Sequence, residues 1–359
     1  MFRERRCSVS GDVPLIIHET ASIYNLNHGG AMNRSFSKIS FLYLFTAMLL
    51  FTGCSRIGIY PSSSEATGFY FDTVISVRIY GEDSQKLLDG CMELAWHYEQ
   101  LLSATREGSD IWNINHSGGS WVSVDQDTLS VLELALDFAQ FSEGAVDPTI
   151  GGLSRLWNFG SENQGIIPEK AQIERELAHV DYHTVSLREG QVMLKDPQAR
   201  LDLGFIAKGF IGDKMKEYLL SQGVDSALIN LGGNVVALGG RPDGSGFRVG
   251  IRDPFDRDGS ALTALEISDK SVVSSGNYER FFEKEGELYH HILSPQSGYP
   301  VKSGLAQVTI ISPDSARADA LSTLCFVQGY EKAASLLENY PDLQAIFVTE
   351  DGEIIYENF

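Results

Sequence analysis

Apolar residues recur along the chain at two spacings, and these spacings predict its secondary structure. Alternating apolar and β-branched residues predict a long strand over Gly68–Gly81. Apolar residues three and four positions apart predict helices over Asp83–Ser103, Asp125–Phe141 and Ile206–Gly223. The polar segment Thr105–Gly119, which carries Gly, Ser and Asn, predicts a loop.

The second half of the chain is predicted to consist mainly of short strands separated by polar turns. A hairpin over Glu189-Gly190 comes first. The strands that follow are Asp225–Asn230, Asn234–Leu238, Phe247–Ile251, Ala261–Ile267, Ser271–Ser274, Arg280–Glu283, Leu288–Leu293 and Leu305–Ile311. Helices over Asp314–Gly329 and Tyr330–Asn339 precede a last hairpin over Glu350-Asp351-Gly352. Hairpins interrupted by separate helices predict an α+β fold with largely antiparallel or mixed sheets.

Residues 32–53 have the features of a lipoprotein signal peptide. Arg34 and Lys38 are basic, and the apolar run Ile39–Phe51 is too short to span a bilayer comfortably. Small residues then precede Cys54, which predicts cleavage there and lipidation of the thiol, although Phe51 replaces the usual leucine. An uncleaved anchor is the alternative. Both interpretations predict an exported, membrane-anchored protein.

The position of the signal peptide divides the rest of the chain. Residues 1–31 lack periodicity and precede a suitable initiator, Met32, so we interpret them as an upstream extension outside the true protein. Residues 54–67 are serine-rich and predict a tether. Residues 68–359 form the predicted functional domain.

Composition narrows the class of protein. Hydrophobic residues make up 43% of the 359 residues, which is ample for a packed core. The formal net charge of −20 argues against nucleic acid as a partner. No CxxC, zinc-spaced cluster, GxGxxG or P-loop motif occurs. Cys91 and Cys325 are expected to be buried thiols, and a disulfide between them stays open.

Asp319 and Thr323 form the first candidate for a binding site. They lie four residues apart in a predicted helix, which places a carboxylate and a hydroxyl on one face. Two hard oxygen ligands suit Mg²⁺ or Ca²⁺ better than a soft transition metal. The alternative is that Asp319 only complements the helix dipole and that Thr323 packs without a ligand.

Several unusual short motifs follow one another along the domain. They are Asp147-Pro148-Thr149, Leu156–Gly160, Asp202–Phe210, Asn230–Asn234, Ser274–Tyr278 and His290–Pro300. Together they resemble the ApbE family, the FAD:protein FMN transferases, over roughly Gly68 to the end. The resemblance implies two intertwined lobes around a nucleotide cleft, FAD as the substrate and Mg²⁺ as the metal.

The resemblance also implies the site residues. Asp319, Thr323 and the main-chain carbonyl of Ala207 match the metal ligands. The residues that match or are assigned to nucleotide binding are Phe71, Thr73, Asp110, Asp147, Lys208, Gly232, Gly233, Ser275, Gly276, Asn277, Tyr278 and His291. The sequence departs from the family at Ser294, where Asp is usual, and at Ser297, where Thr is usual. Ala104–Glu107 replaces a segment that often holds Tyr and Pro.

The residue types suit phosphoryl transfer. Gly232, Gly233 and Gly276 allow backbone N–H groups to approach phosphates closely. His291 is the candidate base, because the unperturbed pKa of histidine lies near neutrality. Lys208 either stabilises phosphate charge or is a solvated helix residue. Phe71 and Tyr278 either stack on rings or are ordinary strand aromatics.

The predicted enzyme is therefore a Mg²⁺-dependent transferase. It is expected to attach FMN to a threonine of an extracytoplasmic flavoprotein, such as a subunit of a membrane redox pump, and to release AMP. Two alternatives stay open: hydrolysis of FAD to FMN and AMP, and flavin binding by a lipoprotein without turnover.

Overall fold

An eight-stranded sheet forms the centre of the part of the chain that the computed structural model describes, residues 62–81, 84–160, 165–256 and 258–359. The strand order is β1-β2-β6-β7-β10-β13-β14-β15, with antiparallel pairing throughout. These strands are β1 Ser63–Tyr70, β2 Thr73–Tyr80, β6 Ala227–Leu231, β7 Asn234–Leu238, β10 Ser271–Gly276, β13 Leu305–Ser312, β14 Gln344–Thr349 and β15 Ile354–Glu357.

Three small sheets complete the strand inventory of the described residues. The first, in the order β3-β5-β4, is formed by β3 Val122–Ser123, β4 Val185–Arg188 and β5 Gln191–Leu194. The hairpin of β8 Phe247–Arg252 and β9 Ala261–Ile267 is the second, and that of β11 Phe281–Lys284 and β12 Glu287–His290 is the third. Because β12 ends at His290, His291 lies just beyond the strand and not inside the predicted Leu288–Leu293.

Eight helices occur in the described residues, and three of them make the main helix contacts with the central sheet. The eight helices are α1 Gln85–Leu102, α2 Asp110–Asn115, α3 Gln126–Phe141, α4 Gly151–Trp157, α5 Lys170–Leu177, α6 Ala207–Ser221, α7 Ser315–Gln328 and α8 Tyr330–Leu337. α1 packs on β1 and β2, α6 on β6 and β7, and α7 on β10 and β13. The β8–β9 hairpin covers the opposite face of the central strands through Phe247, Val249 and Ile251.

The prediction of one long strand over Gly68–Gly81 is wrong, because the chain reverses at Phe71-Asp72 to form the β1–β2 hairpin. Both turn residues have positive φ, 52° and 56°, although neither is glycine. Aspartate tolerates this conformation, and the Phe71 N–H donates to the Glu99 carboxylate at 2.7 Å. The hairpin also shortens the predicted tether, since β1 begins at Ser63.

The predicted loop Thr105–Gly119 contains a short helix, α2. Its first turn is capped by the Ser109 hydroxyl, which accepts from the Trp112 N–H, and Ile111 and Ile114 are buried against the core. Six residues are too few for a clear apolar period, so tertiary burial decides this segment. The predicted extension 1–31, signal peptide 32–53 and lipidation site Cys54 lie outside the described residues. Cys91 and Cys325 are buried free thiols.

Candidate active site

Several predicted nucleotide-binding residues lie together at one end of the strands of the central sheet. Ile75 pairs with Leu231, and Val272 pairs with Val235. This register places the Phe71-Asp72 turn, the Gly232-Gly233 turn and the end of β10 at Gly276 at the same end of the strands. The sheet therefore gathers three predicted segments that are far apart in sequence.

The Gly232-Gly233 turn requires glycine for two reasons. Both residues have positive φ, 59° and 100°. A Cβ on Gly232 would also lie 2.2 Å from the Thr73 hydroxyl oxygen. The turn and the predicted Thr73 are thus in direct contact.

Asp319 lies at the contact between α6 and α7. Its side chain is buried, and its Oδ2 accepts from the Gly209 N–H at 2.8 Å. Its Oδ1 lies 3.7 Å from the Lys208 ammonium. The carboxylate is therefore fixed through one oxygen, while the other faces a cation at the start of α6.

The close approach of the two helices depends on Gly209. A Cβ there would lie 2.2 Å from the Ser315 carbonyl oxygen and 2.7 Å from the Ala316 Cα, and both are backbone atoms that cannot rotate away. The contact brings the Gly209 N–H to Asp319.

We expect Gly209→Ala to lower the free energy of unfolding by about 2 kcal/mol, because overpacking outweighs the usual helix preference for alanine. Urea unfolding checks this value. The matched control is Gly90→Ala in α1, where the added Cβ meets only the movable Tyr218 ring. Equal stability of the two variants would contradict the importance of the α6–α7 contact.

The predicted main-chain metal ligand, the Ala207 carbonyl, lies at the start of α6, beside the residues that contact Asp319. The helix begins at Ala207, so the Ala207 carbonyl lies inside the helical hydrogen-bond ladder. The Gly209 N–H, which would otherwise bond the Phe205 carbonyl four residues earlier, donates to Asp319 instead. Among the described residues, no N–H donates to the Phe205 carbonyl. A carbonyl in the ladder keeps a second lone pair, so the assignment of Ala207 as the main-chain ligand stays a prediction.

Thr323 faces the end of β10. Its hydroxyl oxygen lies 3.1 Å from that of Ser275, which lies 2.7 Å from the Ser322 hydroxyl. The contact joins the predicted metal ligand to the predicted nucleotide-binding segment. Sequence reasoning missed Ser322, since a serine inside a helix carries no distinguishing signal.

These donors fit a magnesium ion that arrives with phosphate. No cluster of three or more His, Cys, Asp or Glu side chains suited to a metal occurs in the described part of the chain. The predicted donors are the Asp319 carboxylate, the Thr323 hydroxyl and the Ala207 carbonyl, all hard oxygens. Mg²⁺ characteristically uses one or two carboxylates together with waters and substrate phosphates.

Positive charge collects around this site in an otherwise acidic protein. Loss of water around the carboxylate and the negative charge of Asp319 raise the pKa of Glu279. The positive charges of Lys208, Arg280 and Arg252 oppose this rise. The Glu279 side chain keeps solvent contact despite these neighbours. Sequence reasoning missed Glu279 and both arginines, although Glu279-Arg280 directly follows the predicted segment ending at Tyr278.

Tyr278 is held on two sides. Its hydroxyl accepts from the Gln307 amide at 3.0 Å, and the Arg252 guanidinium lies 5.4 Å from the ring centroid. Asn277 is fixed through its N–H, which donates to the Ala306 carbonyl at 3.1 Å. The Ser275–Tyr278 segment is thus rigidly placed beside the cations.

His291 joins the same group of residues. Its backbone N–H donates to the Arg280 carbonyl at 3.0 Å. Its ring atom Nδ1 is buried without a hydrogen-bond partner among the described residues. Burial, His290 and the cations Lys208 and Arg280 lower the pKa of His291 to about 3. The unperturbed value near neutrality therefore does not apply to this ring, because burial, together with the neighbouring charges, keeps the imidazole neutral at pH 7.

Asp110 has a role in the scaffold. Its Oδ2 accepts from the Asp125 N–H at 2.8 Å and from the Thr128 hydroxyl at 2.7 Å, which ties α2 to the start of α3. These bonds give Asp110 a scaffold role, and its assignment to nucleotide binding stays a prediction.

Asp147 is likewise a scaffold residue. It is buried, and its two oxygens accept from the N–H and hydroxyl of Thr149 and from the Tyr182 N–H, at 2.6–3.0 Å. This local network fixes the carboxylate in the scaffold, and its assignment to nucleotide binding stays a prediction.

Ser294 replaces the usual aspartate without loss of the local turn. Its hydroxyl accepts from the Gln296 and Ser297 N–H groups at 3.2 and 3.3 Å. The Ser297 hydroxyl in turn accepts from the Tyr299 N–H at 3.3 Å. A carboxylate would accept similar bonds, so the substitution removes a charge and keeps the loop.

Known proteins resemble this chain over most of its length. The sequence profile of the ApbE family matches residues 71–347. A FAD:protein FMN transferase of Treponema pallidum (strain Nichols) is 37% identical over 302 residues, which cover 79% of this chain and 83% of that protein. A FAD:protein FMN transferase of Klebsiella pneumoniae (strain 342) is 38% identical over 284 residues, which cover 78% and 87%. The crystal structure of the ApbE protein from Thermotoga maritima superposes with a TM-score of 0.76 at 31% identity, covering 82% of this chain and 97% of that chain.

These similarities agree with the geometry of the described residues. They confirm the α+β fold class and the transferase class of enzyme that the sequence predicts. The profile match extends from the Phe71 turn to β14, so it includes both helices of the Asp319 contact. The chain therefore belongs to the ApbE family.

Proposed function

We propose that this protein is a Mg²⁺-dependent FAD:protein FMN transferase that modifies a threonine of an acceptor flavoprotein. The observation that carries the proposal is the buried Asp319 carboxylate, with one oxygen fixed by Gly209 and the other facing Lys208. A lone carboxylate among hard oxygen donors and cations suits a metal-bound pyrophosphate. The similarity to FAD:protein FMN transferases supports the same reaction.

The residues around Asp319 have separate roles in this proposal. Asp319, Thr323 and the Ala207 carbonyl would hold the Mg²⁺, which supplies neutralisation of the pyrophosphate charge when bound. Lys208 and Arg280 attract the phosphates of FAD. The Gly232-Gly233 turn lets the backbone approach the nucleotide. Tyr278, which Arg252 and Gln307 hold in place, positions the nucleotide beside them.

Transfer requires removal of one proton. The threonine oxygen of the acceptor bonds to the phosphorus of FMN, and the bond from that phosphorus to the bridging oxygen breaks. AMP leaves with the electron pair of that bond. The neutral His291 imidazole accepts the hydroxyl proton through Nε2, because Nδ1 is enclosed.

We also propose that the protein acts outside the cytoplasm. The predicted signal peptide and Cys54 support export and a lipid anchor, which would be the only contact with the membrane. No helix of the described residues is long and apolar enough to cross a membrane. A threonine-bearing subunit of a membrane redox pump is the proposed partner, and the net charge of −20 argues against nucleic acid.

The proposal is tested by incubating the full chain with FAD, Mg²⁺ and a threonine-bearing acceptor flavoprotein. Mass spectrometry is expected to show FMN bound to the acceptor, with one AMP released for each FMN attached. An acceptor with the threonine replaced by alanine is the control. FMN release without labelling would indicate FAD hydrolysis, and unchanged FAD would indicate binding without turnover; either result would contradict the proposal.

A further inference from the structure

Three hydroxyl groups form a connected chain between α7 and β10. The Ser322 Oγ lies 2.9 Å from the Asp319 carbonyl oxygen, the Ser275 Oγ lies 2.7 Å from Ser322 Oγ, and the Thr323 Oγ1 lies 3.1 Å from Ser275 Oγ. Ser322 is fully buried, and Ser275 is 9% exposed. The chain is therefore shielded from water at its inner end.

The direction of each hydrogen bond follows from the inner end. A carbonyl oxygen only accepts, so the single Ser322 proton points to Asp319. Ser322 must then accept from Ser275, whose single proton is used in that bond. Ser275 must in turn accept from Thr323. The Thr323 proton thus points inward, and the lone pairs of its oxygen point away from the chain.

We infer that Ser322 and Ser275 are positioning residues that orient the Thr323 hydroxyl as a cation ligand. This inference rests on the proposed function, in which Thr323 binds the metal. A cation is attracted by oxygen lone pairs and repelled by a hydroxyl proton, and Mg²⁺ tolerates little distortion of its coordination. Groups behind metal ligands commonly set the orientation of those ligands in this way.

The strand β10 also supplies a matched control. Ser274, next to Ser275, points to the opposite face of the sheet and lies 2.8 Å from the Thr309 hydroxyl. Ser274→Ala therefore removes one hydrogen bond between two hydroxyl groups from the same strand, and leaves the hydrogen bonds among Ser322, Ser275 and Thr323 in place.

The test measures metal affinity and does not depend on turnover. Mn²⁺ binding to the full chain is followed by electron paramagnetic resonance in the presence of ADP, which supplies a pyrophosphate. We expect Ser322→Ala and Ser275→Ala to weaken Mn²⁺ binding by about 10-fold or more, the usual effect of losing a group behind a ligand. Ser322→Thr keeps the hydroxyl and is expected to retain most of the affinity, and Ser274→Ala is expected to change it by less than about 2-fold.

The possible outcomes are distinguishable. Wild-type Mn²⁺ affinity in both Ser322→Ala and Ser275→Ala would overturn the inference that these hydroxyl groups orient Thr323, while leaving the proposed metal site in place. An equal loss in Ser274→Ala would also overturn it, because the effect would then come from general destabilisation of β10. If the wild-type protein bound no Mn²⁺ with ADP, or if Asp319→Asn bound it as well as wild type, the proposed metal site would be wrong. The inference about Ser322 and Ser275 would then be wrong as well.

Discussion

Replacement of Asp319 by asparagine should lower the rate of FMN transfer by about 10²-fold or more, the scale of losing a preorganised charged group at a reacting phosphate. The wild-type carboxylate accepts from Gly209 through Oδ2 and faces Lys208 through Oδ1. Asparagine has one carbonyl oxygen and one NH₂ group. Its oxygen can serve either Gly209 or the cation, and the NH₂ group then occupies the other position.

The comparison variant is Asp314→Asn at the N-cap of the same helix, α7. The Asp314 side chain accepts from the Arg317 N–H at 2.7 Å and caps α7. Asparagine caps helices about as well as aspartate, so this variant should retain close to wild-type transfer. Rates of AMP release and of acceptor labelling, measured for both variants at saturating FAD and Mg²⁺, check the prediction. Labelling by Asp319→Asn within about 10-fold of wild type would show that Asp319 is not a metal ligand.

Much of the sheet could be predicted because its strands have plain local signals. β13 is rich in apolar and β-branched residues and is buried along its whole length, and the β4–β5 and β14–β15 hairpins contain glycine turns. The β1–β2 hairpin could not be predicted in this way. Phe71 and Asp72 adopt positive φ without glycine, and the bond from Phe71 to Glu99 comes from a helix residue 28 positions away. Tertiary contacts, and not local preference, decide that turn.

The candidate site likewise has a part that local sequence patterns predict and a part that they do not. Helical spacing alone places Asp319 and Thr323 together, so the sequence predicts this pair. The relation of Asp319 to Gly209 spans 110 positions, and that of Ser322 to Ser275 spans 47. Such contacts depend on the packing of α6, α7 and β10, which no local pattern encodes. Ser322, Glu279, Arg280 and Arg252 were therefore missed.

The same reasoning applies to the charged residues. Asp110 and Asp147 are acidic residues in motifs, and in the folded protein both accept hydrogen bonds from nearby backbone and hydroxyl donors. The sequence shows a histidine at position 291 but not the cations around it. Protonation of a buried imidazole depends on those neighbours, so its pKa follows only from the folded structure.

Replacement of His291 by glutamine should lower FMN transfer by about 10²-fold or more, because general-base catalysis usually contributes that much. Glutamine keeps a polar side chain of similar length, but its amide is far less basic than an imidazole, even one whose pKa is held at about 3. His183→Gln, at an exposed position in a 3₁₀ turn, is the comparison variant and should leave transfer unchanged. The ratio of the two rates isolates the contribution of the His291 ring.

The pH dependence gives the prediction its sharper form. A base fails when it is protonated, and burial, His290, Lys208 and Arg280 hold the pKa of His291 at about 3 in the free enzyme. The value of kcat/KM reports groups of the free enzyme, so His291 should produce no acid limb between pH 5 and 8. Lys208→Met removes one opposing positive charge and should move the His291 ring titration to higher pH, measured by NMR. A wild-type acid limb near pH 6.5 that disappears in His291→Gln would contradict the neutral imidazole, and an unchanged titration in Lys208→Met would show that Lys208 does not act on it.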